Sequence, residues 1–154
     1  MIYTKADIIQ EPDAQLHQES AEIEQITLEV YDELMGMWEF VTSIENCCGF
    51  AAPQLGIMKR AIMIKLGHAW VLVINPEIVR HSPKIVTSNE FCLSVKLSSI
   101  AVNVRRWKYV TVKGLDTQGT SRTYRTQRDL IGMAFQHEID HLDGKTTIYH
   151  GGLE

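Results

Sequence analysis

The sequence predicts an α+β fold, with antiparallel strands packed around a C-terminal helix and a separate amphipathic helix near the N-terminus. Three observations carry this. Strand-like runs follow one another from Arg60 to Thr126, and apolar spacings of three and four mark the two ends of the chain. The runs are also joined by short turn sequences, among them Gly67-His68 and Leu115-Asp116-Thr117-Gln118-Gly119. Consecutive strands without a helix at each crossover are not the pattern of alternating βαβ units.

Each element has its own signal. Residues 1–20 are polar and contain Pro12, which reads as an extended arm or loop. From Ile23 to Val41 the apolar positions Ile23, Ile26, Val30, Leu34, Met37 and Val41 recur at helical spacing, with Glu24, Glu29, Asp32 and Glu33 outward. Next comes Asn46 to Gly56, a run of small residues holding Gly49, Phe50 and Gln54. Alone it reads as a tight turn into the next strand. Strands are expected over Arg60–Leu66, Trp70–Pro76 and Glu77–Thr87, the last broken by Ser82-Pro83. Ala101–Lys113 alternates as one further strand, and a hairpin turn leads into Ser121–Thr126. The segment from Arg128 to Leu142 has no proline and reads as a helix stopped by Gly144.

A chain of 154 residues is one domain's worth, so 1–154 is read as a single unit able to bury a real core. With 45% hydrophobic and 22% charged residues and a net charge of −4, it has the composition of an ordinary soluble globular protein. No basic run points to nucleic acid. The longest apolar run, Ala69 to Ile74, is too short to span a bilayer, and the opening residues lack the apolar core of a signal peptide, so the cytoplasm is expected. Three cysteines, two of them adjacent, do not make a disulfide framework. Cys47 and Cys48 are read as small buried hydrophobes, and His68 as a surface turn residue.

The chemistry is concentrated in Gln136-His137-Glu138-Ile139-Asp140-His141. His137 and His141 lie four apart, on one face of a helix, and can share a metal ion. Glu138, flanking them, can take a proton from a metal-bound water without being a ligand. The histidines continue an apolar stripe of Leu130, Met133 and Ala134, the makings of a hydrophobic substrate pocket beside a hydrolytic centre. A core helix with two hydrogen-bonded histidines would show the same pattern.

A catalytic site of this kind needs a third ligand. A continued His-x-x-Gly-x-x-His pattern fails at Thr147, and His150 lies in a Gly-rich tail, so the ligand is expected upstream. Glu90-Phe91-Cys92-Leu93-Ser94 is the best source. Cys92 would give a thiolate suited to zinc or iron(II), while Glu90 is the competing carboxylate and would complete a two-His, one-carboxylate iron site.

Three ordered segments together resemble the peptide deformylase family: Cys47 to Gln54, Glu90 to Ser94 and Gln136 to His141. The family's motifs are Gly-x-Gly-hydrophobic-Ala-Ala-x-Gln, Glu-Gly-Cys-hydrophobic-Ser and Gln-His-Glu-x-Asp-His, and the likeness covers nearly the whole chain. The resemblance implies a hydrolase that removes the formyl group from the N-terminal methionine of new polypeptides, with nascent chains and the ribosome surface as partners. It implies one divalent metal held by Cys92, His137 and His141, typically iron(II), with zinc, nickel or cobalt able to occupy the site. Glu138 would be the general base, and the Gln54 amide and Leu93 N–H the oxyanion donors. The peptide would lie extended between the segments of Gly49, Phe50 and of Glu90, Phe91, with its methionine side chain at Leu130, Met133 and Ala134. Cys47 and Phe91 stand where the family motifs have glycine, and Lys96 where a proline is expected. A hydrolase of another N-acyl substrate and a catalytically silent peptide binder are the rival readings.

Overall fold

The computed structural model describes residues 2–95, 101–127 and 129–154; Lys96 and Arg128, singled out above, lie outside them. It is an α+β structure with α1 (Leu28–Thr42), β1 (Gly49–Ala51), β2 (Ala61–Leu66), β3 (Ala69–His81), β4 (Ile85–Glu90), β5 (Val102–Trp107), β6 (Val110–Leu115), β7 (Ser121–Arg125) and α2 (Asp129–Leu142). Strands run antiparallel in a five-stranded sheet ordered β1-β2-β3-β6-β7 and a two-stranded sheet of β4 and β5.

β2 is buried on both faces, and strand alternation divides its side chains between two cores. Ala61 and Met63 of β2 pack with Leu34, Met37 and Val41 of α1. Ile62 and Ile64 pack with Phe135, Ile139 and Leu142 of α2. The metal-motif helix is therefore held against the sheet by its apolar side, which leaves its histidine side for other work. No described helix is long and apolar enough to cross a membrane.

Three boundaries differ from the sequence reading. Helix α1 begins at Leu28, where Thr27 caps it by accepting from the Val30 N–H at 3.2 Å. Ile23 is buried but not helical: the Asn75 side chain brackets its backbone, accepting from its N–H and donating to its carbonyl, each at 2.9 Å. Periodicity marks the buried positions but does not reveal a lateral clamp of this kind. The single strand expected over 101–113 is two strands in two sheets, with β5 paired to β4 and β6 to β3. Alternation gives the buried face but not the partner strand. Likewise, 70–76 and 77–81 form one strand with register shifts between Ile74 and Glu77, where Asn75 has φ 51°.

The N-terminal arm has two short 3-10 turns and is packed down, with Leu16 buried and the Ser20 N–H donating to the Leu142 carbonyl at 2.8 Å. Gly144 ends α2 with φ +74°, and a Cβ there would come within 2.8 Å of the His17 carbonyl oxygen. Only glycine suits that stop.

Candidate metal centre

Cys92 from the turn after β4 and His137 and His141 from α2 bring their ligand atoms within 4.8 Å of one another. Cys92 Sγ lies 3.4 Å from His141 Nε2, about the spacing of neighbouring ligands in a tetrahedral site with bonds of roughly 2.0–2.3 Å. One thiol and two imidazoles form a donor set suited to zinc or iron(II). Electrostatics agree. Burial pushes the His137 imidazole down, but Glu138, Cys92 and Glu90 outweigh it and hold His137 well above its ordinary value. A cation would satisfy the same anionic surroundings. Burial, helped by the charge of His137, takes His141 well below its ordinary value, so that ring favours the neutral, metal-binding form.

Glu90 is not in this group. It accepts at 2.8 Å from His137 Nδ1, which leaves Nε2 of that ring for coordination, and it takes two bonds from the Arg106 guanidinium at 2.9 and 2.8 Å. Burial alone would raise its carboxyl, but the hydrogen bonds from Arg106 and His137 lower it to about 2. Glu90 thus orients the His137 ring. It also borders the cleft, with its carboxylate turned to Arg106 and His137.

Arg106 was not singled out by the sequence motifs. It is 2% exposed and also pairs with Asp140, whose carboxylate accepts from the Gly152 N–H at 2.9 Å. A signal was present, since Val102, Val104 and Arg106 share one strand face, and a charge on such a face needs a buried partner. Replacing Arg106 with Met would leave the buried Glu90 and the half-buried Asp140 without their cation. We expect a loss of about 3–5 kcal/mol in urea denaturation. Gln136 was also missed as a tie: its amide accepts from the Trp107 N–H and donates to the Trp107 carbonyl, each at 2.9 Å, fixing α2 to β5.

Beside the centre lies a cleft of about 460 Å³, lined by Gly49, Gln54, Phe91, Leu93, Glu138 and the α2 stripe of Leu130, Met133 and Ala134. Glu138 is buried, and burial raises its carboxyl to about 7. Its Oε2 has no protein hydrogen-bond partner among the described residues. Gly49 leaves it room: a Cβ there would lie 3.0 Å from Glu138 Cγ and Oε1, a tight contact. Gln54 is 2% exposed; its Oε1 accepts from the Ala51 N–H at 3.0 Å and its Nε2 donates to Ser94 Oγ at 3.0 Å. The amide carries a second N–H, and Gln54 borders the cleft.

Phe50 does not reach this cleft with its side chain. It is fully buried against Phe40, at 6.1 Å between ring centroids, because alternation along β1 turns its ring to the α1 core. Phe91 has no positive φ, so replacing the motif glycine stores no left-handed strain; its ring is 60% exposed at the cleft rim. Of the vicinal pair, Cys47 is buried and donates to the Gly49 carbonyl, whereas Cys48 is exposed, since neighbours in extended chain point to opposite sides. Burial, then the Glu138 charge, pushes the Cys47 thiol up to about 12. His68 and His150 are exposed and stand apart from the three-ligand group.

The model of the polypeptide deformylase family matches residues 5–151. A peptide deformylase of Carboxydothermus hydrogenoformans is 44% identical over 99 residues, which span 64% of this chain and 62% of that protein, under two thirds of its length. One from Desulforudis audaxviator is 35% identical over 149 residues, spanning 92% of this chain and 94% of the relative. Among solved structures, the peptide deformylase of Thermotoga maritima superposes with a TM-score of 0.85 at 28% identity, covering 100% of this chain and 99% of that one.

Proposed function

Since the chain belongs to the polypeptide deformylase family, we propose that it is a metal-dependent hydrolase that removes the N-formyl group from the N-terminal methionine of newly made polypeptides. The observation that carries this is the three-ligand group of Cys92, His137 and His141, with the buried Glu138 beside it and an apolar cleft in front. Those three residues would hold the metal, which when bound supplies Lewis acidity and a water of lowered pKa. We take the native ion to be iron(II), with zinc, nickel or cobalt able to substitute.

The remaining work falls to the chain's own groups. Glu138 accepts a proton from the attacking water and returns it to the leaving amine nitrogen. The second N–H of Gln54 and the Leu93 backbone N–H donate to the oxygen on which negative charge develops. Leu130, Met133 and Ala134 receive the methionine side chain. β1 is an edge strand whose Gly49 lines the cleft, as does Phe91. An extended peptide would run between them, paired to backbone by strand addition. The working unit is residues 1–154 acting in the cytoplasm on formylmethionyl chains, including those still at the ribosome surface.

The test is a comparison of formyl-Met-Ala-Ser with acetyl-Met-Ala-Ser, read as free amine released under anaerobic conditions. The proposal expects hydrolysis of the formyl peptide alone. Faster release from the acetyl peptide would favour a hydrolase of another N-acyl group. The metal assignment has its own test. The iron(II) form should lose activity in air faster than the nickel form, because iron(II) itself is readily oxidised by air whereas the thiolate is common to both. Equal decay rates would count against iron.

A further inference from the structure

We infer that Gln10 is a positioning residue for the oxyanion side of the reaction, fixing the Leu93 backbone from outside the cleft; the inference rests on the deformylase reading above. Three successive residues of the N-terminal arm each donate to a carbonyl of the loops that carry Gln54 and Leu93. The Ile9 N–H donates to the Gln54 carbonyl at 2.8 Å, Gln10 Nε2 to the Leu93 carbonyl at 2.8 Å, and the Glu11 N–H to the Ser94 carbonyl at 2.7 Å. The two loops are joined to each other by Gln54 Nε2 and Ser94 Oγ.

The first and third of these donors are backbone groups that almost any residue would supply. The second is a side chain, so it depends on the sequence. It acts at a sensitive place. The carbonyl of the Cys92–Leu93 peptide accepts from the Val95 N–H at 3.1 Å, and that of the Leu93–Ser94 peptide accepts from Gln10. The Leu93 N–H lies in the first of these planes and the Leu93 Cα joins it to the second, so the two bonds together fix the Leu93 backbone. Leu93 is 38% exposed, so without Gln10 the second plane is free to turn its carbonyl to water, and the first plane loses its fixed neighbour across the Leu93 Cα.

The arm is itself anchored, which gives Gln10 a fixed base. The Glu11 carboxylate accepts from Thr146 Oγ1 at 2.6 Å and meets His17 Nε2 at 2.8 Å, tying the arm to the segment after α2. Gln10 touches none of the three candidate ligands and does not itself line the cleft, and its bond lies near the surface. Its contribution to stability is accordingly small, whereas a donor displaced by a fraction of an ångström is felt in turnover.

The experiment compares Gln10→Ala and the nearly isosteric Gln10→Glu with the wild type, all as metal-loaded full chains hydrolysing formyl-Met-Ala-Ser. Both variants should lose about tenfold in kcat with KM within about twofold, while Tm and metal per chain stay at wild-type values. Gln10→Glu keeps the packing but not the donor, so a space-filling role would leave it near wild type. Either variant within about twofold of the wild-type kcat, or a loss that follows Tm or metal content, overturns the role of Gln10. A wild type that is inactive when fully metal-loaded would instead count against the deformylase reading itself.

Discussion

Glu138→Gln should lower kcat for a formylmethionyl peptide by on the order of a thousandfold while leaving metal content and fold unchanged. Glu138 stands outside the three-ligand group, so its loss does not remove a metal donor. It is buried on the flank of His137, in space left by Gly49, and one of its oxygens has no protein partner among the described residues. A carboxylate so placed has little structural work, and glutamine fills the same volume without accepting a proton. Steady-state amine release, with metal measured on the same sample, checks this. A variant keeping more than about a tenth of the activity would move the general base elsewhere.

The second large effect is an order of damage. Cys92→Ala removes a thiolate ligand and should abolish tight metal binding and turnover together. Glu90→Gln keeps all three ligands and loses the carboxylate that orients His137, so its expected cost is about 10- to 100-fold in metal affinity or activity. The iron centre with two histidines and a carboxylate, considered from the sequence, predicts the reverse. The geometry already opposes it, because both Glu90 oxygens are engaged by Arg106 and one also by His137. Metal content by mass spectrometry for the two variants, beside the kinetics, decides the order.

The parts of the molecule legible in the sequence were those fixed by local periodicity or by residue type. The β6–β7 hairpin and the helix ending before Gly144 are of the first kind, as are the buried positions of α1, although its start is not. The metal group is of the second kind: His137 and His141 are four apart in one helix, and a thiol is a scarce donor, so Cys92 stood out. What stayed hidden depends on pairing between distant segments. The move of the chain from β5 to β6 leaves no mark in the alternation, and neither does the Asn75 clamp on Ile23. Phe50 belongs to a motif segment whose backbone borders the cleft, but one-residue alternation sends its ring into the core. Arg106 could have been noticed as a charge on an apolar strand face. Its partners Glu90 and Asp140 could not, because they lie 16 and 34 residues away.

The most direct test of the central claim is anaerobic turnover of formyl-Met-Ala-Ser by the iron- or nickel-loaded protein, with Glu138→Ala as the blank. The account predicts release of free amine by the wild type and none above background by the variant. No turnover by a wild type carrying one metal per chain, or equal release by both proteins, would contradict it.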